Sequence, residues 1–190
     1  MSLIFVGLFN GGSISWRTNG IGKGFVRATL GIASEFLKQT VERCNKNGFP
    51  LWNHEQVIVS ALKRVYSLES LYLLRHESQF VGCVFISADR DAFWEDMDTH
   101  GSLFFHKLAV GDDYHSKGLG LLALAQILLF AQSLGCVWLR CDCHGARERL
   151  RAFYEKFGFE FVDRQEMFGF DVARYQMPIN GSRETVNTRR

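Results

Sequence analysis

His115-Ser116-Lys117-Gly118-Leu119-Gly120 is the stretch of this chain whose residue types and spacing are best suited to chemistry. It lies between the apolar run Leu103–Val110 and a longer one that ends at Leu134. The pattern predicts a strand, a turn and a buried helix. The first turn of a helix carries N–H groups with no partner in the helix, and the positive end of its dipole. Two glycines let an anion come close to that backbone, and Lys117 adds a mobile positive charge. The unit is suited to a phosphate-bearing ligand.

Other side chains could carry a reaction beside it. Tyr154 falls on a predicted helix, 146–157, in one stripe with Leu150, Phe153 and Phe157. On that stripe alone a tyrosine reads as core rather than as a proton donor. His106 on the central strand and Asp142 at the end of the next strand are candidate bases. A histidine on an apolar strand is also a packing residue, and Asp142 could cap the following turn. Cys141, Cys143 and His144 invite a metal reading. Strand alternation puts both sulfurs on one face, yet there is no paired Cys-x-x-Cys and no fourth ligand at a familiar spacing, so no metal is expected.

The totals narrow the class. The chain has 190 residues, 47% hydrophobic and 22% charged, which suits one globular domain with a full core. A net charge of +2 gives no reason to expect nucleic acid or an anionic membrane as a partner. Five cysteines without secreted-domain spacing point to reduced thiols and a cytoplasmic location. No apolar run is long and uncharged enough to span a bilayer. A homodimer is compatible with the composition, which does not specify one.

The positioning elements follow from periodicity and punctuation. Residues 1–24, with Asn10-Gly11-Gly12 and a glycine-rich run to Gly24, read as a flexible leader. Phe25–Thr29 reads as a short strand. A helix follows over 31–47, with Ile32, Phe36, Val41 and Cys44 on one face and a stop at Asn47-Gly48. Asn53 and Gln56 form a capping box for a second helix whose stripe is Val57, Ile58, Ala61, Leu62 and Val65. Leu71–Arg75 and Phe80–Ala88 are strands, with Gly82 marking a bulge. The segment 89–98 carries five acids around Phe93 and Trp94. It reads either as a solvated loop or as a lip for a cationic amine, with Trp94 offering its face. Leu119–Leu134 is a helix apolar nearly all round, ended by Gly135, and Cys136–Cys143 is the next strand. That order implies a right-handed parallel crossover. A strand from Phe159 and a hairpin through Gly169 close the domain at 179, and 180–190 is a polar tail.

Two motifs in this order resemble the GNAT superfamily of N-acetyltransferases. One is Val110, a short loop, then His115-x-x-Gly118-x-Gly120, where the family has Gln/Arg-x-x-Gly-x-Gly/Ala. The other is Tyr154-Glu155-Lys156-Phe157-Gly158-Phe159. His106–Val110 and Leu139–Cys143 also look like that family's fourth and fifth strands. The resemblance covers 25–179 in element order. It implies an α/β fold: a single GNAT-like domain with a mixed, mostly antiparallel sheet, splayed central strands and flanking helices. It implies acetyl-CoA as cosubstrate and a primary amine, a small cationic molecule by the acidic segment, as acceptor. Under it the backbone of Leu108, Ala109 and Val110 pairs with pantetheine. His115, Ser116, Lys117, Gly118, Leu119 and Gly120 take the pyrophosphate. Arg147 and Phe153 add cofactor contacts, although Arg147 stands where the family often has Asn. Tyr154 becomes the acid that protonates the leaving thiolate, and Asp142 or His106 the base.

Two other functions remain open to the same residues. A GNAT-like module could hold acyl-CoA without catalysis, an option that His115 and Arg147 keep in play. A dinucleotide-binding oxidoreductase fits Gly118-Leu119-Gly120-Leu121-Leu122-Ala123 as Gly-x-Gly-x-x-Ala. Against that, residues 111–117 separate the strand from the first glycine, whereas that fingerprint makes a tight turn.

Overall fold

The computed structural model describes residues 3–7 and 23–179. In chain order the elements are β1 (Leu3–Gly7), α1 (Lys23–Lys46), α2 (Val59–Val65), β2 (Leu71–His76), β3 (Gln79–Ser87), β4 (Ser102–Val110), α3 (Leu119–Ser133), β5 (Trp138–His144), α4 (Glu148–Phe157), β6 (Glu160–Met167) and β7 (Phe170–Pro178). The sheet order is β1-β2-β3-β4-β5-β7-β6. Pairs β1–β2, β2–β3, β5–β7 and β6–β7 are antiparallel and β4–β5 is parallel. This is the mixed, mostly antiparallel α/β sheet expected. Among the described residues no helix is long and apolar enough to cross a membrane.

Contacts group the chain into two compact units. The first takes residues up to Ser87 together with Phe105–Gln126; the second takes Ala88–Phe104 and the chain from Ile127.

In the first unit, Leu30, Ala33, Leu37 and Val41 of α1 pack with Leu62 of α2 and with Leu71, Leu73, Cys83 and Phe85 of β2 and β3. Two sequence expectations fail here. Phe25–Thr29 is the start of α1, not a strand, because a run of 24 residues without proline can continue as helix through β-branched positions. That longer helix buries the Leu30/Leu37 face, and Ile32 and Phe36 lie at its margin, only partly buried. Within the expected leader, Leu3–Gly7 pairs with β2 along its whole length. The rest of the leader, 8–22, and the tail, 180–190, lie outside the described residues.

Local signals are otherwise obeyed. Helices α1, α3 and α4 end alike: Gly48, Gly135 and Gly158 have φ of 74°, 70° and 117°, and the next N–H reaches back five residues to a carbonyl. That is the left-handed cap which glycine tolerates best. The Asn53 capping box also closes, with Gln56 N–H on Asn53 Oδ1 (2.9 Å) and Asn53 N–H on Gln56 Oε1 (3.0 Å). It starts only the one-turn 3-10 helix His54–Gln56; the chain turns extended at Ile58 before α2 begins. The predicted stripe is therefore broken: Val57, Ala61 and Leu62 are buried, but Ile58 is exposed and Val65 is 71% exposed.

Strand β3 carries the expected bulge, one residue away from Gly82. Leu74 pairs with Gly82 and Arg75 with Phe80, so Val81 is the extra residue. Gly82 has its own reason to be glycine. A Cβ there would stand 2.2 Å from the Ala109 carbonyl oxygen of β4. Gly82→Ala must push that backbone aside, and we expect a loss of about 1–3 kcal/mol. Urea unfolding measures it; a change under about 0.5 kcal/mol, the scale of neutral surface substitutions, would contradict the close approach.

In the second unit, β5 is paired along its length with β7. On its other edge the ladder with β4 has three pairs, Ser102↔Trp138, Leu103↔Leu139 and Phe104↔Arg140. The β6–β7 hairpin turns at Phe168 (φ 53°) and Gly169 (φ 78°), as expected. Helix α3 departs from expectation. Leu119, Ala123, Leu124, Ile127 and Ala131 are buried, but Leu121 and Leu129 are exposed, so its apolar circumference is not wholly covered.

Candidate active site

Strand β4 leads into the loop that carries Gly118 and Gly120, and the first part of that loop is firmly held. Gly111 N–H donates to Val81 C=O (2.9 Å), and Asp112 N–H donates to Gln39 Oε1 (3.1 Å). Arg43 of α1 pairs with the Asp112 carboxylate and donates to Val110 C=O (3.2 Å). The Tyr114 hydroxyl bonds the Gln79 side chain. Gln39 and Arg43 stand four apart on α1, so one helix face holds the loop. Sequence reasoning missed both, since two polar residues on a helix look like solvated surface until their partners about seventy residues on are known.

Beyond this anchor come His115, Ser116, Lys117 and Gly118, all exposed. Ser116 has φ 62° and Gly118 φ 80°. Ser116 Oγ lies 2.9 Å from His115 Nδ1, and the Lys117 ammonium sits 5.8 Å from the Tyr114 ring. The Gly118 carbonyl accepts from Leu121 N–H (3.1 Å) and Leu122 N–H (3.2 Å) and so opens α3. The amides of Leu119 and Gly120 precede that ladder, at the positive end of a helix with no acid in its first turn. Burial, with Arg43 next, holds the His115 imidazole below the usual histidine range, despite the opposing pull of Asp112.

Upstream on β4, Lys107 has φ 52°, a left-handed residue inside a strand. Its ammonium lies 4.3 Å from the centre of the Trp52 ring. His106 is half-buried, its ring 5.9 Å from Tyr66, which itself stacks on Phe85 at 4.3 Å. Leu108 and Val110 are half-buried and Ala109 is buried. A pocket of about 420 Å³ opens beside the loop anchor, walled by Ile32, Phe36, Phe80 and Gln39 with Asp113 and Tyr114. None of the residues predicted from the motifs lines it.

The second unit holds the other predicted residues. Asp142 is half-buried and sits opposite Arg174 in the β5–β7 register. Tyr154 is 7% exposed, with the rings of Phe153, Phe159 and Tyr175 at 5.6, 5.7 and 5.9 Å. Burial first, then Cys141, Cys143 and Asp142, raises its phenol well above the usual tyrosine range. It therefore keeps its proton at neutral pH, the state a proton donor needs. Burial likewise raises Cys141, and pushes Cys143 up to about 12, so both are thiols. Arg147 is the N-cap residue of α4 and makes no side-chain cap. It places a cation where helices favour anions.

The acidic segment is not an open lip. Trp94 is fully buried, with the guanidinium of Arg140 at 4.8 Å and that of Arg174 at 5.2 Å from its ring. Asp96 is bound by Arg174, Asp91 caps Phe93 N–H (2.9 Å) and Asp98 caps His100 N–H (2.9 Å). The Asp98 carbonyl takes Arg140 Nη1 at 2.7 Å. The cations facing Trp94 are the chain's own.

Comparison with known proteins adds the family. The profile of the Acetyltransferase (GNAT) family matches residues 37–159. No curated protein sequence matches the chain. Among solved structures, a GNAT-family acetyltransferase from Listeria monocytogenes has a TM-score of 0.64 at 17% identity, covering 80% of this chain and 90% of its own. The aminoglycoside acetyltransferase AAC(6')-Ib, in complex with coenzyme A, has a TM-score of 0.63 at 16% identity, covering 93% and 95%. The ribosomal-protein-S18-alanine N-acetyltransferase of Escherichia coli has a TM-score of 0.61 at 14% identity, covering 97% and 99%. At these identities the likeness is one of fold.

Proposed function

Since this chain belongs to the GNAT acetyltransferase family, we propose that it moves the acetyl group of acetyl-CoA onto a primary amine. The observation that carries the reading is the anchored glycine loop that opens α3. Its near side is tied to α1 and β3, while Ser116, Lys117 and Gly118 are exposed and the amides of Leu119 and Gly120 stand at the start of α3. A pyrophosphate would take those amides and the Lys117 ammonium. The pantetheine arm would pair with Leu108, Ala109 and Val110. That pairing is what membership of the family implies for the end of β4.

The reaction follows from the chemistry of the groups. An alkylamine has a pKa near about 10.4 and must first lose a proton, to Asp142 or His106 directly or through water. Its nitrogen attacks the thioester carbon, and the carbonyl oxygen becomes an oxyanion held by a backbone N–H near Leu108–Ala109. Collapse breaks the carbon–sulfur bond, Tyr154 gives its proton to the departing thiolate, and the acylated nitrogen releases its surplus proton to water, from which the Tyr154 phenolate is reprotonated. Phe153 and Arg147 would complete the cofactor's surroundings, with Arg147 offering charge to a phosphate. The acidic segment gives no ground for preferring a cationic small molecule as acceptor, because Asp96 is bound by Arg174, the Asp91 and Asp98 carboxylates cap backbone N–H groups, and the face of Trp94 is taken by Arg140 and Arg174.

The test is thiol release from acetyl-CoA with a panel of amines: polyamines, aminoglycosides, amino acids and peptide N-termini. Turnover with any of them supports the reading. Thermal stabilisation by CoA without turnover would mark a binding module instead, and stabilisation by NADH but not by CoA a dinucleotide protein. Gly118 gives a sharper check on the corner. A Cβ there meets open space, but φ 80° favours glycine. Gly118→Asp adds backbone strain and a negative charge at an anion site, so the Kd for CoA should rise at least about tenfold, roughly 1.4 kcal/mol. Gly118→Ala, which keeps only the strain, should fall between the two. An unchanged Kd in Gly118→Asp would remove the corner from the binding site.

A further inference from the structure

Arg151 and Glu155 sit four residues apart on α4, so their side chains share one helix face. Both meet the hydroxyl of Tyr175 on β7. Arg151 Nε donates to it at 2.9 Å, and it donates to Glu155 Oε1 at 2.7 Å. The direction of this relay is fixed, because a guanidinium only donates and a carboxylate only accepts. Tyr175 is fully buried, and burial pushes its phenol up to about 12; the Arg151 bond lowers it and the Glu155 bond raises it. The hydroxyl thus keeps its proton. Arg151 is held further by the Gly145 carbonyl at 3.4 Å and by the Phe161 ring at 5.1 Å.

This arrangement fixes a helix, not only two side chains. Turning α4 by one residue, about 100°, would carry both clamp residues off Tyr175. Tyr154 lies next to Glu155 in the chain, and its ring stands 5.9 Å from that of Tyr175. We propose that Tyr175 is a positioning residue for Tyr154: the Arg151–Tyr175–Glu155 clamp sets the rotation of α4 and so where the Tyr154 hydroxyl sits. The inference rests on the donor role proposed for Tyr154.

The experiment is steady-state thiol release from acetyl-CoA, with the best amine of the panel or, failing one, with water. Tyr175→Phe keeps the ring and removes the hydroxyl. It should lower kcat about tenfold and leave the KM for acetyl-CoA within twofold. Glu155→Leu should do the same, while Glu155→Gln, which keeps an acceptor oxygen, should stay within threefold of the parent. If Tyr175→Phe does not fold, the two Glu155 variants decide the matter. On a Tyr154→Phe background, adding Tyr175→Phe should cost less than twofold more. Three results would overturn the proposal: unchanged kcat in Tyr175→Phe, a Glu155→Gln as impaired as Glu155→Leu, or a full tenfold loss repeated on the Tyr154→Phe background. Tyr154→Phe leaving kcat untouched would be a separate failure, that of the donor role itself.

Discussion

Arg174→Leu is expected to be the most damaging single substitution for stability, at about 3 kcal/mol. The guanidinium is 1% exposed and lies among four groups. Nε and Nη2 hold the two oxygens of Asp163 at 2.7 and 2.5 Å. Nη1 reaches the Phe93 carbonyl at 2.8 Å, Nη2 holds Asp96 Oδ2 at 3.0 Å, and Trp94 covers the face. Leucine would leave that carbonyl without its donor, two carboxylates without a counter-charge, and a void beneath Trp94. The figure sits at the low end for a broken buried pair because Asp96 and Asp163 keep access to water. For a chain of this length it corresponds to a melting point lower by roughly 6–12 °C. Asp96→Asn, which alters a half-exposed partner, should cost under about 1 kcal/mol. Thermal and urea unfolding of the two variants measure the difference. Equal, small losses in both would mean that the arginine is not the keystone of this segment.

Tyr154→Phe carries the largest expected effect on turnover. A positioned general acid contributes about 100-fold or more, and a thiol is already a fair leaving group, so we expect a fall in kcat near about 100-fold. Binding of CoA should stay within twofold, because the ring remains among Phe153, Phe159 and Tyr175. The pH profile should also change. With its phenol held above the usual range, Tyr154 stays protonated well into alkaline solution. The parent rate should therefore climb with pH as the amine deprotonates and fall only beyond the ordinary tyrosine range. Isothermal titration with CoA and kcat across pH 6–11 separate the two effects. An undiminished kcat would take Tyr154 out of the mechanism.

What the sequence disclosed was local. The capping box at Asn53, the glycine stops, the bulge beside Gly82 and the glycine corner each depend on residues within a few positions of one another. The Tyr154–Phe159 motif was readable for the same reason, since helix, cap and strand follow in immediate succession. The misreadings have two physical sources, the course of the backbone at a helix start and partners far away in the chain. Phe25–Thr29 looks strand-like until α1 is seen to continue through it, and α2 loses its stripe because Ile58 leaves the helical region. Asp96 looks available because its partner is distant, Arg174 being 78 residues further on, and the Arg140 donor that holds the Asp98 backbone carbonyl lies 42 residues beyond it. The anchoring of the corner by Gln39 and Arg43 is hidden in the same way.

Helix α3 contains no ionisable side chain over its fifteen residues. Whatever attraction its amino end exerts on an anion comes from peptide groups, which neither gain nor lose protons in water. The helix's own share of that attraction therefore does not change with pH, and burial and Arg43 hold the neighbouring His115 imidazole below its ordinary range. A donor held by those peptide groups keeps that part of its binding at any working pH, which leaves changes of rate with pH to the groups that exchange protons.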